Sequence, residues 1–371
     1  MATTLDRPAS QDASLAELWF TRCPVPTATG IAYKLGWLTE EFARDGITLR
    51  TLQESGSELG RHHYDHRLPR LIREGGNMLS IAARAQGEPT RLIGLTWIEE
   101  RQRILTRPET GIVSATDLKG RRLALPGWSH NDIPSHVRGT SIARGMSLAG
   151  YKGALASAGL TFDDVTLVET PDRLRNIGGS GRDLEPRRSD LNRLWPIEAL
   201  VTGEVDAIYV KGASAVDAAQ AAGLVVAVDL DALPDRRFRI NNGTPRPITV
   251  HQRLIDEHFD LLVRFLAVTL RAADTVAAEP DTLREILEFE TQGSAAAIGQ
   301  AYGRLHEGLH PTLDAYRLDL LDRQKAFLFT YGFLDADFAL DDWIDRRPLE
   351  AALALNAGRD AALPAPTPAL A

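Results

Sequence analysis

The sequence predicts an α/β protein of two lobes, with mostly parallel sheets and a helical C-terminal extension. Three observations carry this. A chain of 371 residues exceeds the size at which one hydrophobic core stops growing, so two lobes are expected. Its first two thirds alternate short apolar strands with amphipathic helices, the order that builds parallel sheet covered on both faces. From about Leu254 onward the pattern is helical alone.

Taken in order, "LAELWFTRCPVP" reads as a strand running into a loop, with Cys23 at the strand's carboxyl end. "TGIAYKLGWLTEEFARDG" follows, with Ile31, Leu35, Leu38 and Phe42 at helical spacing and Gly46 as a stop. "ITLRTLQ" alternates like a strand. "LPRLIREGGNMLSIAARAQG" reads as a second helical segment interrupted by Gly75 and Gly76. "TRLIGLTWIEERQRILTR" supplies strands, and "SATDLKGRRLALPGW" turns into another. A helix is expected from about Ser135 to Ala158. "AGLTFDDVTLVET", "IEALVTGEVDAIYVKG" and "AVDAAQAAGLVVAVDL" repeat the logic of helix, turn and strand. "NIGGSGRDLEPRRSDLNR" reads as a long loop able to serve as a cover, and "LPAPTPALA" as a Pro-rich, disordered tail. The expected division is a first lobe over 15–115 and 231–310, a second over 116–230, C-terminal helices over 311–362 and the tail over 363–371. There is no internal repeat.

Composition narrows the function classes. With 44% hydrophobic and 25% charged residues, the chain has the make-up of an ordinary globular protein. A net charge of -8 argues against nucleic acid as a partner, because phosphate binding needs a basic footprint. The single cysteine cannot form an internal disulfide, and nothing requires an oxidising compartment. Asp6, Arg7, Asp12 and Glu17 interrupt any secretory apolar core, and no run approaches the roughly 20 apolar residues that span a bilayer. The expectation is a cytoplasmic monomer without a membrane partner.

Cys23 has two readings. It is either a buried small apolar residue or a reactive thiol, stiffened by Pro24 and Pro26 and set before a helix whose N-terminal amides favour a thiolate. The stretch "RHHYDHRLPRLIREGGN" has three. His62, His66 and Asp65 at helical spacing suggest a metal site, but no HExxH pattern or distant ligand pair supports one. The segment also reads as a solvated basic face. As an oxyanion site, Arg73 would offer a forked guanidinium, and Gly75 and Gly76 would let a ligand approach the backbone. Gly178–Gly181 is not a P-loop, since no Gly-Lys-Ser/Thr follows. The sequon Asn242-Gly243-Thr244 carries no meaning inside a cell. No Gly-x-Gly-x-x-Gly follows a strand, so no nicotinamide or flavin is expected. No Gly-x-Ser-x-Gly elbow marks a serine triad.

The segments "DLKGRRLALP", "AGLTFDDVTLVE" and "GEVDAIYV" resemble the two-lobed type II periplasmic-binding-protein fold, in its sulfonate- and thiamine-precursor-related branch. "CPVP" at Cys23–Pro26 together with the His63, Arg73, Gly75 and Gly76 spacing resembles the aromatic sulfinate desulfinases of dibenzothiophene desulfurisation. "TFDDVTLV", "TGEVDAIY", "FLFTYGFL" and "ALDDW" extend the likeness along nearly the whole chain. The resemblance implies a desulfinase with no metal and no organic cofactor, acting on a small-molecule aromatic sulfinate. It implies that Cys23 is the essential cysteine, His63 the active-site histidine and Arg73 the sulfinate-gripping arginine, with the Gly76 amide facing the same group. Tyr64 stands where the family has a pocket phenylalanine, and Met146 falls near a family tryptophan. The alternative is a non-catalytic solute-binding protein for a sulfonate or related anion. A pyrimidine-synthase-like enzyme would need a cysteine-rich stretch that this chain lacks.

Overall fold

The computed structural model describes residues 15–22, 25–129, 139–171, 195–291 and 294–362. Cys23, the expected cover loop with Gly178–Gly181, and the 363–371 tail lie outside the described residues. The strands are β1 Glu17–Arg22, β2 Thr48–Thr51, β3 Leu71–Glu74, β4 Thr90–Thr96, β5 Gln102–Thr106, β6 Arg122–Pro126, β7 Thr166–Thr170, β8 Ala207–Lys211, β9 Val225–Asp229 and β10 Arg246–His251. The helices are α1 Ala28–Lys34, α2 Trp37–Ala43, α3 Ser57–Gly60, α4 His62–Asp65, α5 Asn77–Ala85, α6 Ile142–Ser157, α7 Ile197–Val201, α8 Ala213–Ala221, α9 Gln252–Ala278, α10 Pro280–Thr291, α11 Ala295–Tyr302, α12 Ala315–Thr330 and α13 Arg347–Ala362.

The strands form two five-stranded sheets, ordered β2-β1-β3-β10-β4 and β7-β6-β8-β5-β9. In each, one strand runs against the others: β10 is antiparallel to β3 and β4, and β5 to β8 and β9. The two odd strands are exchanged. β5 follows β4 in sequence but lies in the second sheet, and β10 follows the second sheet but lies in the first. The chain thus passes between sheets at 97–101 and 230–245, whereas the sequence suggests boundaries near 115 and 230. Each sheet has its own core. Leu18, Phe20, Ile72 and Phe265 lie in one, and Ile104, Leu123, Tyr151 and Ile208 in the other.

The two passages touch through buried charge. Arg239 Nη1 lies 3.3 Å from Glu99 Oε2 and 3.5 Å from Asp231 Oδ1, and the Gln102 amide donates to Asp231. Burial pushes the Asp231 carboxyl up to about 6, with Glu99 adding to the rise against the Gln102 amide and Arg239. The C-terminal helices bind both lobes. The Phe333 ring lies 4.9 Å from that of Trp128, and Tyr331 meets Phe162 edge-on at 5.6 Å. Gln324 Nε2 donates to Asn77 Oδ1 at 3.2 Å.

The structure corrects the sequence reading in four places. Leu71–Glu74 is a strand, not the first part of a helix. All four residues are buried, and a short run buried on both faces lacks the alternation that marks a strand. The helix expected over 29–46 is two helices, because Gly36 takes a left-handed φ of 79° and starts α2 afresh. Of the helix expected from Ser135, residues 135–138 lie outside the described residues, 139–141 are not helical, and the helix runs from Ile142. β10 has no counterpart in the sequence reading, and prolines at 245 and 247 are unusual for a strand inside a sheet. The Pro247 carbonyl nevertheless accepts from the Gly75 amide at 3.2 Å.

Candidate active site

The site grows from the carboxyl ends of β1 and β3, where α/β sheets usually place ligands. Thr21 and Arg73 are direct partners in the parallel ladder, so their side chains leave the same face of the sheet. Both are buried. A short helix, α4, brings His63 over them; the helix stops at once because His66 takes a left-handed φ of 58°.

His63 is fixed at two points. Its ring Nδ1 lies 2.9 Å from Thr21 Oγ1, and its carbonyl accepts from Arg73 Nε at 3.1 Å. Gln53 Nε2 donates to Thr21 Oγ1 at 3.2 Å and also to the Arg22 carbonyl. While accepting from Gln53, the Thr21 hydroxyl can either donate to the ring nitrogen or accept from it. Arg73 Nη1 donates to the Gly76 carbonyl at 3.2 Å.

The two glycines are closely covered by protein side chains. A methyl group on Gly75 would lie 2.6 Å from Arg73 Cζ, and one on Gly76 would lie 2.4 Å from Asn242 Oδ1. Their missing side chains therefore make room for the heads of two protein side chains. The sequence singled out His63, Arg73, Gly75 and Gly76, and the structure brings these four into contact. Tyr64 presents its ring edge to His63 at 5.1 Å but packs with Leu79 and Ile142. Met146 packs in the second sheet's core. Trp128, just past β6, stacks 4.6 Å from the Arg144 guanidinium.

The polar side chains of the His62 cluster are engaged with one another and with the backbone. Burial opposes ionisation of Asp65, but hydrogen bonds from His62 and the Arg67 amide hold its carboxyl below the usual range. His62 Nδ1 sits 2.7 Å from Asp65 Oδ1, and His66 Nδ1 lies 3.1 Å from the Tyr64 carbonyl. Among the described residues, no group of three or more His, Cys, Asp or Glu could hold a metal ion.

Sequence reasoning missed Thr21, Gln53, Glu74 and Asn242. Glu74 is fully buried, accepting from the Thr29 amide at 2.9 Å and from Thr96 Oγ1 at 3.0 Å. It thereby ties the start of α1, which follows Cys23 in sequence, to β3 and β4. The available signal was a charged residue beside Arg73 in an otherwise apolar run.

Two sheets that exchange a strand, with the candidate site at strand ends of the first, define the two-lobed binding-protein fold. Comparison with known proteins narrows this. The chain is 30% identical over 349 residues to 2'-hydroxybiphenyl-2-sulfinate desulfinase of Rhodococcus erythropolis, covering 88% of this chain and 90% of the relative. It belongs to that desulfinase family. The crystal structure of the desulfurization enzyme DSZB matches with a TM-score of 0.71 at 26% identity, over 91% of this chain and 99% of that one. A Cys-to-Ser variant of DSZB in complex with biphenyl-2-sulfinic acid matches at 0.67, with the same identity and coverage. The periplasmic aliphatic sulphonate binding protein SsuA from Escherichia coli matches at 0.62 with 15% identity, over 90% of this chain and 93% of that one; this likeness concerns the fold. No protein-family model matches the chain. No helix among the described residues is long and apolar enough to cross a membrane.

Proposed function

We propose that this desulfinase cleaves the C–S bond of an aromatic sulfinate, consuming water and releasing the arene and sulfite, with no metal or organic cofactor. The observation that carries the reading is the joint fixation of His63 and Arg73 over the carboxyl end of β1. Cys23 follows that strand in sequence. Arg73 and the Gly76 amide would hold the sulfinate oxygens through short charge-assisted bonds, aligning the C–S axis. The Cys23 thiol then protonates the ring carbon bearing sulfur. The C–S electron pair returns to the ring, and SO2 leaves to be hydrated as hydrogen sulfite. Water returns a proton to the thiolate, with His63 carrying it. Attack of a Cys23 thiolate on sulfur is the second route. Protonation is favoured because a sulfinate gripped by arginine is still an anion and repels another.

The aromatic half would sit towards Tyr64, Leu79 and Ile142, which bring α4, α5 and α6 together. Incubation with biphenyl-2-sulfinate and smaller aryl sulfinates, assayed for sulfite, tests the reading. Cys23→Ser is expected to abolish sulfite release while sulfinate binding stays measurable by calorimetry. Unimpaired turnover in that variant would remove Cys23 from the mechanism, and a covalent adduct seen by intact mass would select the second route.

A further inference from the structure

Asn242 has no part in the scheme above, and at 8% exposure it is too enclosed to serve as a glycan acceptor. It lies on the second passage between sheets, beside Asn241. Asn241 donates from Nδ2 to the Met146 carbonyl at 3.0 Å and to Tyr209 Oη at 3.1 Å. The Asn242 amide nitrogen donates to Asn241 Oδ1 at 2.7 Å. Asn242 is thereby anchored to the second lobe while its side chain reaches the first.

The orientation of that side chain is settled by its partner. The Met78 amide donates to Oδ1 at 3.0 Å, and only the oxygen of a carboxamide can accept, so the other arm is the NH2 group. This amide lies flat on Gly76, with Nδ2 only 2.5 Å from where a methyl group would stand. The Arg73 guanidinium lies on Gly75 in the same way. Two donor heads therefore sit over consecutive glycines. Among the described residues nothing accepts from Asn242 Nδ2, so this donor is open to an acceptor that a ligand would bring. Arg73 has already spent two of its N–H groups, on His63 and Gly76. A sulfinate, with two oxygens and several lone pairs, can accept from more than one of these heads at once.

We propose that Asn242 is a substrate-binding residue whose Nδ2 donates to a sulfinate oxygen beside Arg73 and the Gly76 amide. The inference rests on the desulfinase reading of this site. Its test is binding of biphenyl-2-sulfinate, measured by calorimetry in a Cys23→Ser background so that nothing turns over. Asn242→Ser, which is too short to present donor hydrogens at Gly76, is expected to raise Kd roughly five- to tenfold. Asn242→Asp, which keeps the acceptor for Met78, should raise it more. Both should leave the denaturation midpoint within a few degrees; Asn242→Thr replaces the serine variant if that does not fold. A loss confined to Asn242→Asp would trace to added charge alone and overturn the proposal. So would unchanged affinity in both variants while Arg73→Gln weakens binding. If the parent and the Arg73→Gln variant both fail to bind, the sulfinate reading falls, and the role of Asn242 falls with it.

Discussion

His63 owes its orientation to a hydroxyl. Thr21 meets Nδ1 at 2.9 Å and is itself held by Gln53, so the ring is positioned from a residue two places ahead of Cys23. Thr21→Val keeps the shape of the strand position and removes this bond. The expected result is a fall in kcat of roughly tenfold or more with KM little changed, together with a shifted pH–rate profile. A merely structural threonine would leave the profile where it is. The residues proposed to handle the substrate stand out in the sequence by their setting: a lone cysteine followed by Pro24 and Pro26, and His63, Arg73 and a glycine pair in a short run. The residues that orient them do not. Thr21 and Gln53 are ordinary polar side chains whose meaning comes only from the register of β1 and the turn after β2. Asn242 comes from a distant stretch of chain, which a linear reading cannot bring alongside Gly76.

Among the elements, α6 shows how glycines set helix packing. Gly145 lets Met78 of α5 and Phe333 of the C-terminal region come close, and Gly150 receives the ring of Tyr209. At Gly153 an added methyl group would stand 2.0 Å from the Phe238 carbonyl oxygen. That neighbour is backbone, so the helix itself must shift. Gly153→Ala is expected to destabilise the protein by about 1–3 kcal/mol, seen as a lower urea midpoint by circular dichroism. Helices with a clear apolar stripe were readable: Ile31, Leu38 and Phe42 are all buried as their spacing implies. β3 and β10 were not. One is buried on both faces and the other carries prolines, so neither shows the alternation by which a strand announces itself.

For the molecule as a whole, the linked passages between sheets make stability depend on pH. Asp231, raised to about 6 mainly by burial, binds its proton more tightly in the folded state than in the unfolded chain. Its contribution is therefore fully present below about pH 4 and lost as pH rises through 6. The amount is about 3 kcal/mol. Asp231→Asn removes this dependence. The stability of the variant relative to the parent is expected to rise by about that amount between pH 4 and pH 7, measured by urea denaturation at both values. An unchanged difference would show that Arg239 and Glu99 compensate for the burial. The two-lobed division was legible from length and alternation, while the exchange of β5 and β10 was not, because short strands carry no sign of which sheet they will join.

That exchange bears on how the chain is made. β10 sits between β3 and β4, yet it is synthesised only after the whole second sheet. Until Arg246–His251 leave the ribosome, the inner edges of β3 and β4 have no strand to pair with and stand open to neighbouring nascent chains. The first lobe cannot be completed in the order it is translated.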